Sequence, residues 1–198
     1  YLEKMIAEKP GNVMVVSGKN SKKIDYILAA VNAGLNVYAD KPLVVNQQGF
    51  EKLKKVFKIA AEKNLLVYDI MTERFEVTTG LQKALSMQPE VFGMLLDGSP
   101  LEPSISKESI HHLSKIVSGK PLVRPAWFLD TNQQGEGIVD VTTHLVDLVQ
   151  WEAFPGQIID SSDIEIISSK RWTTSLAPDQ FKNITGLDSY PEYLQKDV

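Results

Sequence analysis

Lys41 closes the run Val37-Tyr38-Ala39-Asp40 and is followed by Pro42. A lysine at the carboxyl end of a strand lies on the rim where open α/β sheets bind ligands. A following proline holds its backbone extended, so its ammonium has a narrow range of directions and can donate to a substrate oxygen. About a hundred residues later, Asp140, His144, Asp147 and Trp151 recur at spacings of four, three and four, with Val141, Leu145 and Leu148 beside them. On a helix these form a titratable stripe next to an apolar one, as a cleft wall requires. A carboxylate one turn before a histidine can orient the imidazole, and histidine titrates near enough to neutrality to exchange a proton with a hydroxyl. Alone, each residue has a plainer reading: a solvated Lys41, a capping Asp140, a surface His144.

The composition limits what surrounds them. With 198 residues, 43% hydrophobic and 23% charged, the chain can bury a sizeable core in one domain or two. No apolar run is long enough to span a bilayer, so a membrane role is not expected. A net charge of -4 provides no basic field for a phosphate backbone, which argues against nucleic acid as a partner. The absence of cysteine removes disulfides, thiolate metal sites and a cysteine nucleophile. It leaves the compartment open, cytoplasmic by default or periplasmic.

The elements that must position Lys41 begin at Pro10-Gly11. Val13 to Val16 reads as a strand covered on both faces. A helix follows, capped by Asn20 or Ser21, with Ile24, Ile27, Leu28 and Val31 at helical spacing and Gly34 ending it. Leu35 to Ala39 is the next strand. Phe50, Leu53, Phe57 and Ala60 mark the buried stripe of a second helix that Asn64 terminates, and Leu65 to Ile70 is a third strand. Strand and helix in alternation predict right-handed crossovers and half of an open parallel sheet, the unit that binds nucleotides. No G-x-G-x-x-G occurs, so the phosphate-binding half is not in this sequence. Tyr1 to Ala7 reads as the last turns of an amphipathic helix, and the chain as a piece of a longer protein.

Beyond Thr72 the pattern predicts a helix over Val77 to Ser86, a strand over Phe92 to Leu96, a Gly/Ser/Pro loop over Asp97 to Pro103 and a helix capped by Ser106. A strand over Leu122 to Leu129, a polar turn over Asn132 to Gly135 and a helix from about Ile138 to Trp151 follow. The expected organisation is α/β: residues 1–71 as the C-terminal half of a nucleotide-binding sheet, and 72–198 as part of an α+β substrate domain. The adjacent His111 and His112, placed with Ile110 and Leu113 on a helix, point about 100° apart and read as structural or solvated.

Asn20 after the first strand, Ala33-Gly34 before the second, Asp40-Lys41-Pro42 after it, and Gly135-x-Gly137-x-x-Asp140-x-x-x-His144-x-x-Asp147 resemble the Gfo/Idh/MocA family of NAD(P)-dependent oxidoreductases over residues 12 to about 155. The resemblance implies a Rossmann domain followed by an α/β domain that often makes oligomer contacts, hence a homo-oligomer at full length. It implies NAD or NADP as cofactor, with Asn20, Asp40, Lys41 and Pro42 near it. It makes His144 the acid-base group at the oxidised hydroxyl, Asp140 its orienting or substrate-binding partner, and Lys41 a holder of the same oxygen. Arg74 matches an arginine common after the third strand and faces either the cleft and substrate or a salt bridge. The family's pattern has glutamate at Asp40, proline at Lys19 and histidine at Lys23, so the loop at Asn20 is expected to meet the cofactor differently. Arg124-Pro125-Ala126-Trp127-Phe128 through Trp151, with Arg171-Trp172-Thr173-Thr174, resembles a bacterial subgroup of such oxidoreductases.

The implied reaction is oxidation of a secondary hydroxyl on a sugar, cyclitol or related polyol. The alternatives are an NAD-dependent glycosidase of the same fold, which oxidises its sugar only transiently, and a non-catalytic ligand-binding or oligomerisation protein. A zinc site at Asp140, His144 and Asp147 is disfavoured, because neither H-E-x-x-H nor a cysteine set accompanies it.

Overall fold

The structure is a computed structural model and describes residues 1–110 and 112–194. His111 and residues 195–198 lie outside the described residues. Helix α1 (Leu2–Glu8) ends on Lys9 in the left-handed conformation, with φ 42°. Three strands, β1 (Val13–Val16), β2 (Asn36–Asp40) and β3 (Val67–Ile70), form a parallel sheet in the order β1-β2-β3. Helices α2 (Asn20–Asn32) and α3 (Gln47–Lys63) supply the crossovers.

Both helices pack on one face of the sheet. Val16, Val37 and Ala39 from the strands join Ile24, Ile27, Val31 and Val56 from the helices in one buried cluster. Each of the valine and isoleucine side chains contributes about 1.5–3 kcal/mol by leaving water. The opposite face carries Val13, Val15, Tyr38 and Tyr68, all exposed, with the two tyrosine rings stacked at 6.2 Å. Val15, Tyr38 and Tyr68 stand in register across the three strands. Strand β1 is thus covered on one face rather than the expected two.

Two local expectations hold for the stated reasons. Gly34, with φ 81°, and Asn64, with φ 53°, end their helices in the left-handed region. Two others do not. The buried stripe of α3 runs through Leu53, Val56 and Ala60, leaving Phe50 and Phe57 about half exposed. The N-cap of α2 is Lys19, with no side-chain cap, because the Asn20 carboxamide is engaged elsewhere.

After β3 the chain makes a 3₁₀ turn, Thr72–Phe75, and enters α4 (Val77–Ser86), which matches the expected helix. The expected strand over Phe92 to Leu96 is absent: Pro89–Phe92 is a single helical turn, α5, and Met94 to Leu96 run exposed and irregular. Among the described residues the helix expected to start at Ser106 is absent, and the exposed His112 lies in irregular chain. The strand expected over Leu122 to Leu129 is replaced by irregular chain at residues 122–125 and a 3₁₀ turn at Ala126–Leu129, just after a two-residue antiparallel ladder of β4 (Ile116–Val117) with β5 (Lys120–Pro121). Pro121 and Pro125 cannot donate to a ladder and bracket this stretch. Helix α6 (Thr131–Gln134) fills the predicted polar turn. The long helix then begins as a π turn, Ile138–Thr142, and continues as α7 (Thr143–Ala153). Helix α8 (Pro178–Thr185) packs Phe181 with Ala126 and Leu194 in a second small core. No helix among the described residues is long and apolar enough to cross a membrane.

Candidate active site

Strand β2 delivers Lys41 to the rim of the sheet, and its Nζ donates to Asp140 twice: 2.8 Å to the carboxylate Oδ1 and 2.5 Å to the backbone oxygen. The side chains are 17% and 13% exposed, so the pair is largely shielded from water. The i→i+5 pattern of a π turn occurs frequently at functional sites and widens the helix locally. Here the Asp140 carbonyl inside it accepts from both Lys41 and the Thr143 hydroxyl. A charge-assisted contact thereby joins two residues 99 positions apart in the sequence. The peptide between Lys41 and the buried Pro42 is cis.

Behind Lys41 lies a second lysine. Lys23, on the first turns of α2, is 1% exposed. Its Nζ donates to the Asn20 Oδ1 at 3.0 Å, the Asp40 carbonyl at 2.7 Å and the Lys41 carbonyl at 3.2 Å. Burial pushes its pKa down to about 8, with Lys41 acting in the same direction and Asp40 and Asp140 partly opposing it. Asn20, 5% exposed, donates its amide to the Gln134 carbonyl at 2.8 Å. Lys19 reaches Gln133 Oε1 at 2.9 Å and lies over the Trp127 ring. Of the positions at which the sequence departs from the family's pattern, Lys19 thus reaches the α6 segment, while Lys23 holds the end of β2 to α2.

The 3₁₀ turn after β3 supplies what sequence reasoning missed. Glu73 Oε2 stands 3.5 Å from His144 Nδ1, a buried nitrogen with no hydrogen bond of its own. The acid that faces His144 is therefore Glu73, while the carboxylate of Asp140, expected to orient it, is occupied by Lys41. The neighbouring Arg74 takes Asp147 in a two-pronged contact, Nε to Oδ2 at 2.7 Å and Nη2 to Oδ1, with Asp69 3.9 Å away. These hydrogen bonds hold the guanidinium pKa above its ordinary value, against a smaller opposing effect of burial. Of its two readings, substrate contact or salt bridge, Arg74 is engaged in the second. Only the order Glu-Arg just past a strand hinted that one turn would answer two residues of a helix three apart.

Asp140 and Val141 also line a cavity of about 380 Å³, walled by Phe128, Gly135, Phe181 and Tyr190 and reached by Arg171 and Trp172. Lys41 and His144 are not among its lining residues, so the site lysine meets the cavity through Asp140. Asp40 is half-buried beside Lys23. Among the described residues no group of three or more His, Cys, Asp or Glu is placed to hold a metal ion.

Residues 81–198 match the family model described as "Putative oxidoreductase C terminal domain". The chain belongs to this family, of the Gfo/Idh/MocA type. As a Gfo/Idh/MocA-type oxidoreductase chain, it superposes over its whole length on a structure described as "a putative oxidoreductase from Parabacteroides merdae", with 61% identity and a TM-score of 0.92, covering 45% of that chain. Its fold is shared at 18% identity and TM-score 0.53 with myo-inositol 2-dehydrogenase from Lactobacillus plantarum, over 76% of this chain and 40% of that one. It is shared likewise with GenD2 from gentamicin A biosynthesis in complex with NAD, at 16% identity and TM-score 0.56, over 77% and 38%. The chain spans less than half the length of these structures. No curated protein matches it. The parallel sheet of this oxidoreductase chain is the Rossmann-type half expected from the sequence.

Proposed function

We propose that the full protein is an NAD(P)-dependent dehydrogenase acting on a secondary hydroxyl of a sugar, cyclitol or related polyol. The observation that carries this reading is the Lys41–Asp140 pair at the sheet rim, of which Asp140 lines a cavity sized for a small ligand. An ammonium has three N–H donors, of which Asp140 takes two, leaving one for a substrate oxygen. In this reading Nε2 of His144, whose Nδ1 faces Glu73, takes the proton of the hydroxyl, and Asp140, which lines the cavity, holds that hydroxyl together with Lys41. When bound, the nicotinamide supplies the hydride acceptor for the same carbon.

The chain's own contribution to the cofactor is the rim formed by Ser17-Gly18-Lys19 and Asp40-Lys41-Pro42. Gly18 has φ 112° and open space where a side chain would stand, which fits close approach of a ligand to the backbone. Asn20, expected among the cofactor residues, fits a structural part better, since Lys23 and Gln134 occupy its carboxamide. Arg74 belongs to the support of α7 rather than to substrate.

The test is NAD and NADP binding and a sugar and polyol screen on the full-length protein, with Lys41→Ala and His144→Ala as controls. Accumulation of reduced cofactor that both variants lose supports the reading. Full turnover in both variants removes the assigned roles, and release of an aglycone without reduced cofactor redirects the assignment to a glycosidase.

A further inference from the structure

We propose that Lys23 is a positioning residue for the site: through the carbonyls of Asp40 and Lys41 it fixes the direction in which the Lys41 side chain leaves the sheet toward Asp140. The geometry is a closed circuit. Lys23 holds the Lys41 carbonyl and the Asn20 oxygen, Asn20 holds the Gln134 carbonyl, the chain runs from Gln134 to Asp140, and Asp140 is bound by Lys41. Any shift of the Asp40-Lys41 backbone must break a contact with Lys23, which packing keeps from following because it is almost wholly buried. The side chain that the family's pattern replaces by histidine is therefore a buttress here, and one whose strength depends on charge.

Three acceptors surround Nζ, and an ammonium has three donors for them. A neutral amine has two, so one acceptor is released when the proton leaves. The charged groups that face Nζ are Asp40 and Lys41 from the end of β2 and Asp140 from the π turn; Asn20 on its own helix is uncharged. With burial holding its pKa near 8, the release falls within the working range of many proteins.

The inference rests on Lys41 being the site lysine, but its test needs no turnover, so its failure and that of the dehydrogenase reading are separable. Full-length protein is given a brief pulse of an acetylating N-hydroxysuccinimide ester, and acetylation of Lys41 is read by peptide mass spectrometry relative to the exposed Lys58. In Lys23→Met the Lys41/Lys58 ratio rises roughly fivefold at pH 7, the change in open population expected for loss of one ordinary hydrogen bond. In the wild type the ratio steps upward near pH 8, and in Lys23→Arg, whose side chain stays charged, that step is missing. A folded Lys23→Met protein with an unchanged ratio overturns the proposal. If that variant does not fold, the wild type and Lys23→Arg decide between them from pH 7 to 10: a step in the wild type that Lys23→Arg lacks supports the proposal, and matching profiles overturn it.

Discussion

The Lys41–Asp140 contact has a calculable worth. A hydrogen bond to a charged group contributes about 1.5–3 kcal/mol, whereas an exposed ion pair contributes roughly 0.2–1. At 2.8 Å, with side chains 17% and 13% exposed, this pair belongs nearer the first range. We expect a coupling of about 2 kcal/mol in a double-mutant cycle built from Lys41→Met and Asp140→Asn. Lys41→Met leaves a largely buried carboxylate without its donor, and Asp140→Asn keeps the shape but removes the charge. Both single variants are therefore destabilised, and the double variant by less than their sum. The assay is urea unfolding of the full-length protein, followed by the fluorescence of Trp127, Trp151 and Trp172. Because the pair is shielded, most of the coupling persists in about 1 M salt. Coupling below about 0.5 kcal/mol, or coupling that salt abolishes, would mean that the two groups do not pair in solution, and the site built on them would be refuted.

Three further outcomes follow from the same geometry. The pKa of Lys23 is lowered to about 8 on folding, so between that pH and the ordinary 10.5 the unfolded chain binds more protons and stability rises with pH; the cost of the buried charge is fully present below pH 8. Melting temperatures from pH 7 to 10.5 should show this rise in the wild type and lose it in Lys23→Met. Arg74→Lys keeps the charge but loses the fork that grips Asp147, and urea unfolding should show a loss of about 1–2 kcal/mol, more than an exposed arginine would cost. Gly135→Ala should destabilise by about 1–3 kcal/mol in the same assay, because Gly135 has φ 94° and an added Cβ would stand 3.1 Å from Val45 Cγ1.

The sheet and its helices were legible because their signals are local: apolar runs at Val13 and Val37, and left-handed residues at Gly34 and Asn64. The face of α3 was misplaced by one residue because Phe57 is larger than Val56 and reads as the better core residue, yet the contact with α2 favours the smaller side chain. Phe92 to Leu96 reads as a strand on composition alone, but a strand exists only where a neighbour takes its backbone hydrogen bonds, and among the described residues none pairs with it. In the candidate site, Lys41, Asp140 and His144 stood out by their spacing and resemblance, but the groups they contact did not. The i, i+4 relation of Asp140 and His144 suggested a pair, while Lys41 and Glu73, distant in sequence, take one each. The burial of Lys23 had no signal beyond a departure from the family's pattern, since a lysine at the start of a helix ordinarily reads as solvated.

The turn at Glu73-Arg74 has a mechanical consequence. Two teeth on one side mesh with His144 and Asp147, three residues apart on the other, which indexes α7 in both rotation and translation. Removing one residue between the turn of Gly137 and His144 would swing the helix face by about 100° and unmesh both teeth at once. Insertions and deletions there should be far less tolerated than in the exposed stretch from Asp97 to Pro103, although both lie outside the sheet.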